Sequence, residues 1–241
     1  MLMRFGTWNG RTLLQAGNMN IIAEEAERYK MEVVALQEIR WKGRGSIRKS
    51  KYTLHYSGYD VRQGNGGVGF IVSKKVRRSV LGFLPVCDRI FTLRAKGKFH
   101  NITFVNIYAP TEDTEDEIVD EFYETLQVVC DEIPKQDAII TLGDFNAKLG
   151  REQLYKDVIG RHSLHEVTNS NGLRLVQYVT INNFKVLSTW FPRKDIHKGT
   201  WRIPGTNDTN QIDHILVHVG GPQTLKVFEH IEELTQTLIT F

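Results

Sequence analysis

Short runs of apolar residues, separated by polar and glycine-containing segments, predict that much of the chain forms β-strands. The strands predicted in this way are 2–8, 33–36, 68–73, 89–95, 101–108, 138–142, 184–188 and 211–219. Apolar residues that recur every three to four positions predict helices over 19–30 and 171–181. Because strands dominate and helices alternate with them, the pattern favours an α/β fold with mixed sheets packed in layers.

The predicted strands 89–95 and 101–108 flank Gly97 and Lys98, which is typical of a β-hairpin. No repeat, linker or low-complexity segment interrupts the chain up to residue 219. With 241 residues, 41% of them hydrophobic, the chain can bury a substantial core as one domain. We therefore predict a single domain over residues 1–219.

A further helix is predicted to begin at Thr114, because Thr114 and Glu117 have the spacing of a capping box. The many acidic residues that follow indicate a solvated helix face rather than a metal site. The residues predicted to face the core are Ile118, Phe122, Leu126 and Val129.

The segment 138–147 ends a buried strand with Gly143, Asp144 and Asn146. Residues two apart in a strand project to the same side, so the carboxylate of Asp144 and the amide of Asn146 can work together. A carboxylate can orient water or hold a metal ion, and an amide can donate hydrogen bonds to a phosphoryl oxygen. The alternative interpretation is an ordinary turn with an Asx-type hydrogen bond, which is common after strands.

Two other predicted strands also end in polar residues. Glu38 follows the strand 33–36, and Tyr108 ends the strand 101–108 just before Pro110. Taken singly, Glu38 could be a solvated loop carboxylate and Tyr108 a core tyrosine. Together with Asp144, they predict a polar site formed where several strands end.

Composition and charge limit the classes of protein that fit. The formal net charge of +3 permits a polyanionic partner without requiring one. The two cysteines, Cys87 and Cys130, lack metal-type spacing, which favours a reduced intracellular compartment, nuclear or cytoplasmic. The sequence has neither the apolar stretch of a signal peptide nor a run long enough to span a membrane. We therefore expect an intracellular protein without a membrane partner.

The segment 40–51 is strongly basic. It contains Trp41 and six cations but no acidic residue, and we predict that it is a loop. Such a loop beside a strand-end site could grip a phosphate backbone, although a merely solvated basic loop is the alternative. The six cations are Arg40, Lys42, Arg44, Arg48, Lys49 and Lys51.

Six motifs, in order over residues 2–219, resemble those of the endonuclease/exonuclease/phosphatase superfamily, to which deoxyribonuclease I and the apurinic/apyrimidinic endonucleases belong. The motifs are Thr7-Trp8-Asn9, Leu36-Gln37-Glu38, Gly67-Val68-Gly69, Asn106-Ile107-Tyr108-Ala109-Pro110-Thr111, Gly143-Asp144-Phe145-Asn146 and Gln211-Ile212-Asp213. Residues 7–13, 38–41, 197–202 and 210–213 further resemble the endonuclease domain of RTE-type LINE retrotransposons. The resemblance implies a four-layer sandwich of two mixed β-sheets flanked by helices, and cleavage of a DNA phosphodiester dependent on Mg²⁺, with Mn²⁺ as an alternative.

The resemblance also implies roles for five of these residues. Glu38 corresponds to the metal ligand, and Asn9 to the polar group beside it. Tyr108 and Asn146 would hold the scissile phosphate, while Asp144 would orient or deprotonate the attacking water. These roles suit in-line attack on a phosphodiester, which needs an activated water, a metal ion on the phosphoryl oxygens and donors for the developing charge. Oxygen ligands with retained waters suit Mg²⁺ better than zinc.

The remaining implied roles concern orientation and DNA contact. Asp213 matches the carboxylate that in this family orients a catalytic histidine. Trp201, Arg40 and Asn171 match positions where the family touches DNA. The resemblance thus implies DNA as the partner, and we expect the protein to act as a monomer.

The resemblance fails near the carboxyl terminus, because the family's final strand carries a Ser-Asp-His motif that is absent here. We predict instead that residues 220–241 form a divergent helical tail. His214 is a poor replacement, because it and Asp213 point to opposite faces of a strand, and His230 is a remote candidate. A missing strand would also leave a neighbouring strand exposed at a sheet edge, which predicts marginal stability.

The sequence alone therefore leaves three functions open. The first is a Mg²⁺-dependent DNA endonuclease of retrotransposon origin. The second is a catalytically impaired remnant that only binds nucleic acid or a protein partner. The third is a phosphatase of the same fold that acts on small phosphoesters.

Overall fold

The computed structural model describes residues 3–10, 13, 17–59 and 66–220. They form thirteen strands and three α-helices, besides short 3₁₀ turns. The helices are α1 (Asn18–Arg28), α2 (Asp116–Asp131) and α3 (Ser170–Ile181). The strands are β1 (Phe5–Asn9), β2 (Val33–Gln37), β3 (Arg44–Arg48), β4 (Tyr52–Ser57), β5 (Val68–Ser73), β6 (Val80–Pro85), β7 (Ile90–Ala95), β8 (Ile102–Tyr108), β9 (Ala138–Asp144), β10 (Phe184–Val186), β11 (Trp201–Arg202), β12 (Thr209–Asn210) and β13 (Asp213–His218).

Two mixed sheets form the centre of the molecule. The first has the order β1-β2-β5-β4-β3, and the second has the order β10-β13-β9-β8-β7-β6. Within them β1 and β2 run parallel, as do β8 and β9, while the other paired strands are antiparallel. Strands β11 and β12 form a separate antiparallel hairpin within the polar segment 193–210.

The inner faces of the two sheets bury an aromatic-rich core in which Phe70, Phe91 and Phe104 are fully buried. Helix α1 covers the outer face of the first sheet through Ile22 and Ala26. Helices α2 and α3 cover the outer face of the second sheet. The arrangement of helix, sheet, sheet and helices confirms the predicted four-layer sandwich.

Helix α2 differs from its prediction at the amino-terminal end. It begins at Asp116, and its N-cap residue Glu115 makes no side-chain capping bond, so the predicted capping box is wrong. The hydroxyl of Thr114 instead lies 3.2 Å from that of Thr111. Consequently Ile118 is 47% exposed, whereas its neighbour Val119 is buried and takes the place on the core face that we predicted for Ile118.

The basic segment 40–51 is not a loop throughout. Residues 44–48 form β3, which pairs with β4 in antiparallel register. Trp41 does not project into solvent as a DNA contact would. Its indole nitrogen donates to the carbonyl of Leu13 at 3.1 Å, and its ring packs edge-on against Tyr56. Trp41 thus belongs to the outer core of the first sheet.

The predicted helical tail at 220–241 lies, apart from Gly220, outside the described residues, as does His230. Within the part of the chain that the structure describes, β1 pairs only with β2 and forms one edge of the first sheet. Strand β13, by contrast, lies between β9 and β10. None of the described helices is long and apolar enough to cross a membrane.

Candidate active site where the strands of both sheets end

Three of the predicted site residues lie side by side at one end of the second sheet. Asp144, at the end of β9, is directly opposite Tyr108 of β8 and Asp213 of β13. All three side chains are buried. The register of neighbouring strands therefore brings together residues that are more than 30 positions apart in the sequence.

The first sheet contributes Asn9 and Glu38 to the same place. The side-chain nitrogen of Asn9 donates to Oε1 of Glu38 at 2.8 Å and to Oδ2 of Asp144 at 3.0 Å. A single amide group thus joins carboxylates that belong to different sheets.

A buried polar network fixes the two sheets to each other behind these residues. Nε2 of Gln37 donates to Oδ1 of Asn106 at 2.6 Å, and Thr7 donates to Oε1 of Gln37 at 3.0 Å. Nδ2 of Asn106 in turn donates to the carbonyls of Leu36 and Gly69. The sequence reasoning missed this network, whose available signal is a polar residue inside an otherwise apolar strand.

The backbone at the site adopts conformations that most residues avoid. Glu38 and Asn146 have φ values of 53° and 47°, in the left-handed region. Gly143 has φ 146°, and a Cβ atom there would collide with the carbonyl of Ile107. Such conformations in non-glycine residues persist only where the surrounding structure enforces them, and they cluster at functional sites.

Asn146 lies close to Asp144 and is held in place by backbone groups. Its backbone N–H donates to Oδ1 of Asp144 at 2.9 Å, which is the Asx-type bond of the alternative interpretation. Its side-chain nitrogen donates to the carbonyl of Ala109 at 2.8 Å. Asn171 is buried, and its side-chain nitrogen donates to the carbonyls of Pro110 and Asn146. The turn and the polar site are therefore the same structure.

Burial and mutual repulsion alter the acidity of the carboxyl groups. Burial, and to a smaller extent the charge of Glu38, raise the pKa of Asp144 to about 6, against the hydrogen bonds from Asn146 and Asn9. Burial and the charge of Asp144 raise the pKa of Asp213 well above its usual value. In addition, Oδ1 of Asp213 is buried and has no hydrogen-bond partner among the described residues.

Arg89 is a member of the site that sequence reasoning missed. Its Nη1 donates to the carbonyl of Tyr108 at 3.0 Å, and its guanidinium lies 5.2 Å from the centre of the Tyr108 ring. The positive charge opposes the effects of burial and of the carboxylates, which raise the pKa of the Tyr108 hydroxyl. The position of Arg89 at the start of a predicted strand gave no indication of this contact with Tyr108.

His214 is directed away from the site. Its Nε2 donates to the carbonyl of Ala147 at 2.9 Å, and its Nδ1 accepts from the hydroxyl of Ser188 at 2.9 Å. Burial lowers the pKa of the imidazole to about 4. The expectation that Asp213 and His214 cannot enter one site is thus confirmed.

The three residues predicted to contact DNA lie in different environments. Arg40 lies at the site, where its Nη2 donates to Oε2 of Glu38 at 2.9 Å. Trp201 begins the β11–β12 hairpin and is half-buried. The neighbouring Thr200 hydroxyl accepts the backbone N–H of Asp213 at 3.1 Å, which ties the hairpin to the site. Asn171, whose amide is bound to two carbonyls, supports the turn.

The donor set fits a hard cation that retains its waters. Within the described residues, no group of three His, Cys, Asp or Glu side chains could by itself hold a metal ion. Glu38 and Asp144 nevertheless offer carboxylate oxygens on either side of the Asn9 amide nitrogen. Mg²⁺ is typically held by one or two carboxylates together with waters and substrate phosphate. A divalent cation would also relieve the repulsion between these carboxylates.

Two layered sheets with helices on their outer faces, and polar side chains where the strands of both sheets end, define the fold class of this chain. The chain belongs to the endonuclease/exonuclease/phosphatase family, whose model matches residues 6–234.

Among curated relatives, craniofacial development protein 2 of Bos taurus is 32% identical over 211 residues, which are 88% of this chain and 35% of that protein. The chain thus spans about a third of the length of this relative. An AP endonuclease from Archaeoglobus fulgidus has the same fold, with a TM-score of 0.59 at 17% identity, over 89% of this chain and 86% of that one. The endonuclease domain of the non-LTR retrotransposon TRAS1 has a TM-score of 0.56 at 16% identity, over 89% of this chain and 83% of that one.

Proposed function

We propose that this protein is a Mg²⁺-dependent DNA endonuclease of retrotransposon origin, which hydrolyses a phosphodiester and nicks one strand. The observation that carries the proposal is the position of the Asn9 amide nitrogen, within 3.0 Å of carboxylates from both sheets. Groups that the sequence separates by 135 positions are thereby in direct contact.

Glu38 would hold the metal ion, with Asn9 beside it. Bound there, Mg²⁺ would supply positive charge to the phosphoryl oxygens. The ion pair between Arg40 and Glu38 (2.9 Å) would have to loosen to free an oxygen of Glu38 for this role.

Asp144 would orient or deprotonate the attacking water. The backbone N–H of Asn146 and the amide of Asn9 hold its two oxygens in a fixed orientation. Tyr108, whose hydroxyl stays protonated because burial raises its pKa, can donate a hydrogen bond to a phosphoryl oxygen. The Asn146 amide has a second N–H for the same purpose, since Ala109 takes only one.

A catalytically impaired remnant that binds nucleic acid is the second candidate, and it is favoured by the orientation of His214. The adjacent His214 is not available for Asp213 to orient, because both of its ring nitrogens are bound elsewhere. General acid–base assistance is typically worth about 10² to 10⁴ in rate. An endonuclease that lacks it would be slow.

A supercoiled-plasmid nicking assay with Mg²⁺ tests the proposal. We expect the wild-type protein to convert supercoiled to open-circular DNA, and Asp144→Ala to reduce the rate by at least roughly 10²-fold. Asp157→Ala, which removes an exposed carboxylate, is the matched control and should nick at the wild-type rate.

A wild-type protein that binds DNA but does not nick it would favour the remnant instead. Hydrolysis of inositol phosphates with no action on DNA would favour the phosphatase.

A further inference from the structure

One side of the sandwich is open, where β3 ends the first sheet and β6 ends the second. Among the described residues, β3 is hydrogen-bonded only to β4, and β6 only to β7. The two edges lie on the same side of the molecule, because His55 of β4 packs against Phe83 of β6 with ring centres 4.5 Å apart. We use the name open side for the surface formed by Arg44, Ser46, Arg48 and Phe83.

The arginines of β3 project onto this surface. Ser46 pairs in register with His55, and its hydroxyl lies 2.7 Å from Nδ1 of that histidine. Ser46 therefore faces the second sheet. Because side chains alternate along a strand, Arg44 and Arg48 face the same way, and all three residues are exposed.

The cations of this edge have no acidic partner among the described residues. Neither Arg44 nor Arg48, nor the flanking Lys42 and Lys49, forms an ion pair with any residue that the structure describes. Nearby Lys51, by contrast, is paired with Glu27 at 2.8 Å. Arg44 and Arg48 are four residues apart, which is roughly 13 Å along the strand. Cations separated by that distance suit a chain of phosphates rather than a single anion.

The basic edge is continuous with the candidate active site. Arg40, four residues before β3, contacts Glu38. At the start of β3, Arg44 pairs with Ser57, whose hydroxyl donates to the carbonyl of Cys87 at 2.9 Å. Cys87 lies two residues before Arg89, which is bonded to Tyr108. Strand β3 therefore starts near the candidate site and leads away from it.

An aromatic ring accompanies the cations. Phe83 is 44% exposed, and its ring packs on His55 and Phe91. A positively charged groove with aromatic rings on which bases can stack is the usual design of proteins that bind single-stranded nucleic acid.

We infer that the open side binds a single strand of DNA that flanks the scissile phosphate, with Arg44 and Arg48 at separate phosphates and Phe83 against a base. The inference rests on the proposed function only in identifying the bound single strand as part of the DNA that is cleaved. It assigns to β3 a second role besides protecting an exposed sheet edge with charge.

Fluorescence anisotropy with a labelled oligothymidylate of twelve nucleotides, in EDTA to prevent cleavage, measures this binding. The double variant Arg44→Gln/Arg48→Gln should bind more weakly. The slope of log affinity against log salt concentration should become shallower by about 1.4, because two single-strand phosphate contacts are lost. Lys135→Gln/Lys156→Gln, which removes two exposed cations outside this surface, is the matched control and should leave affinity and slope near the wild-type values.

Phe83→Leu tests the stacking contact while keeping an apolar side chain on His55. We expect a loss of affinity of roughly 5- to 150-fold, the range for one stacked base. A blunt duplex of twelve base pairs should bind no better to the wild type than to either variant.

The inference is overturned if both variants bind oligothymidylate as the wild type does, or if only duplex binding is impaired. If the arginine variant aggregates more but binds oligothymidylate as the wild type does, the arginines only protect the exposed edge of β3, and the inference is overturned. Hydrolysis of bis(p-nitrophenyl) phosphate should be the same in wild type and variants. If the wild type hydrolyses neither this compound nor DNA but the variants still lose single-strand affinity, the proposed endonuclease function has failed and the binding surface has not.

Discussion

Asp213 and His214 are adjacent in β13, yet they lie in separate environments. Asp213 faces Asp144 across the sheet, whereas His214 points to Ser188 and Ala147. Burial disfavours the charged form of each residue, so it raises the pKa of the carboxyl group and lowers that of the imidazole. His214 is therefore a neutral structural residue whose protonation competes with folding.

We predict that His214 makes stability depend on pH below neutrality. Its pKa is about 4 in the folded protein and about 6.5 in an unfolded chain. As pH falls, the unfolded state therefore binds the proton first. The contribution of His214 to the free energy of unfolding is complete above pH 6.5, and it decreases by about 2 kcal/mol between pH 7 and pH 5. Urea denaturation of wild type and His214→Gln at both pH values measures the difference.

The variant should be less stable at pH 7 but should lose less stability on acidification. Parallel losses in the two proteins would show that His214 does not carry this dependence.

At the scale of elements, the two edges of the first sheet differ in how they are protected. Strand β3 carries exposed arginines, whereas β1 consists of Phe-Gly-Thr-Trp-Asn without a charged residue. Within the described residues β1 has hydrogen bonds to one neighbour only. An uncharged edge strand is open to pairing with a further strand.

We predict that amide hydrogens of β1 exchange with solvent at least roughly tenfold faster than those of β2, because β2 is paired on both sides. Hydrogen exchange followed by mass spectrometry of peptides over 3–10 and 31–38 measures the ratio. The central strand β8 is the internal reference for full protection. Equal protection of β1 and β2 would mean that a segment outside the described residues pairs with β1.

The sequence predicted best those elements whose apolar pattern is unambiguous. Asp144 and Glu38 could be placed because each follows a run of buried residues, and strand geometry dictates where such runs end. Strand β3 could not be found, since its only large apolar residue is Ile47 and its pairing depends on β4. Ile118 and Val119 are adjacent and both apolar, so only the observed start of α2 decides which of them is buried.

At the scale of the whole molecule, the candidate site exists only because two sheets meet at a fixed distance. Gln37 of the first sheet and Asn106 of the second are both fully buried and share a hydrogen bond of 2.6 Å. The positions of Gln37 and Asn106 were visible in the sequence, but their contact was not, because it depends on how the sheets stack.

We predict that Gln37→Leu and Asn106→Leu each lower the free energy of unfolding by about 1–3 kcal/mol, because each leaves buried polar groups unpaired. The double variant should lose less than the sum, with a coupling energy of about 0.5–3 kcal/mol. Urea denaturation of the four proteins of the cycle gives these values. Gln127→Leu, at an exposed hydrogen bond on α2, should change stability by no more than about 0.5 kcal/mol.

Additive losses at positions 37 and 106 would show that the two side chains act independently.

The bond between Gln37 and Asn106 is fully buried behind the candidate site. The spacing between the two halves of that site consequently depends on a contact that takes no part in its outer surface. More exposed positions such as Arg40 and Trp201 can then vary in size and charge while the candidate site keeps its spacing. Under the proposed function, a fold built in this way can exchange one phosphoester for another by changing its surface alone.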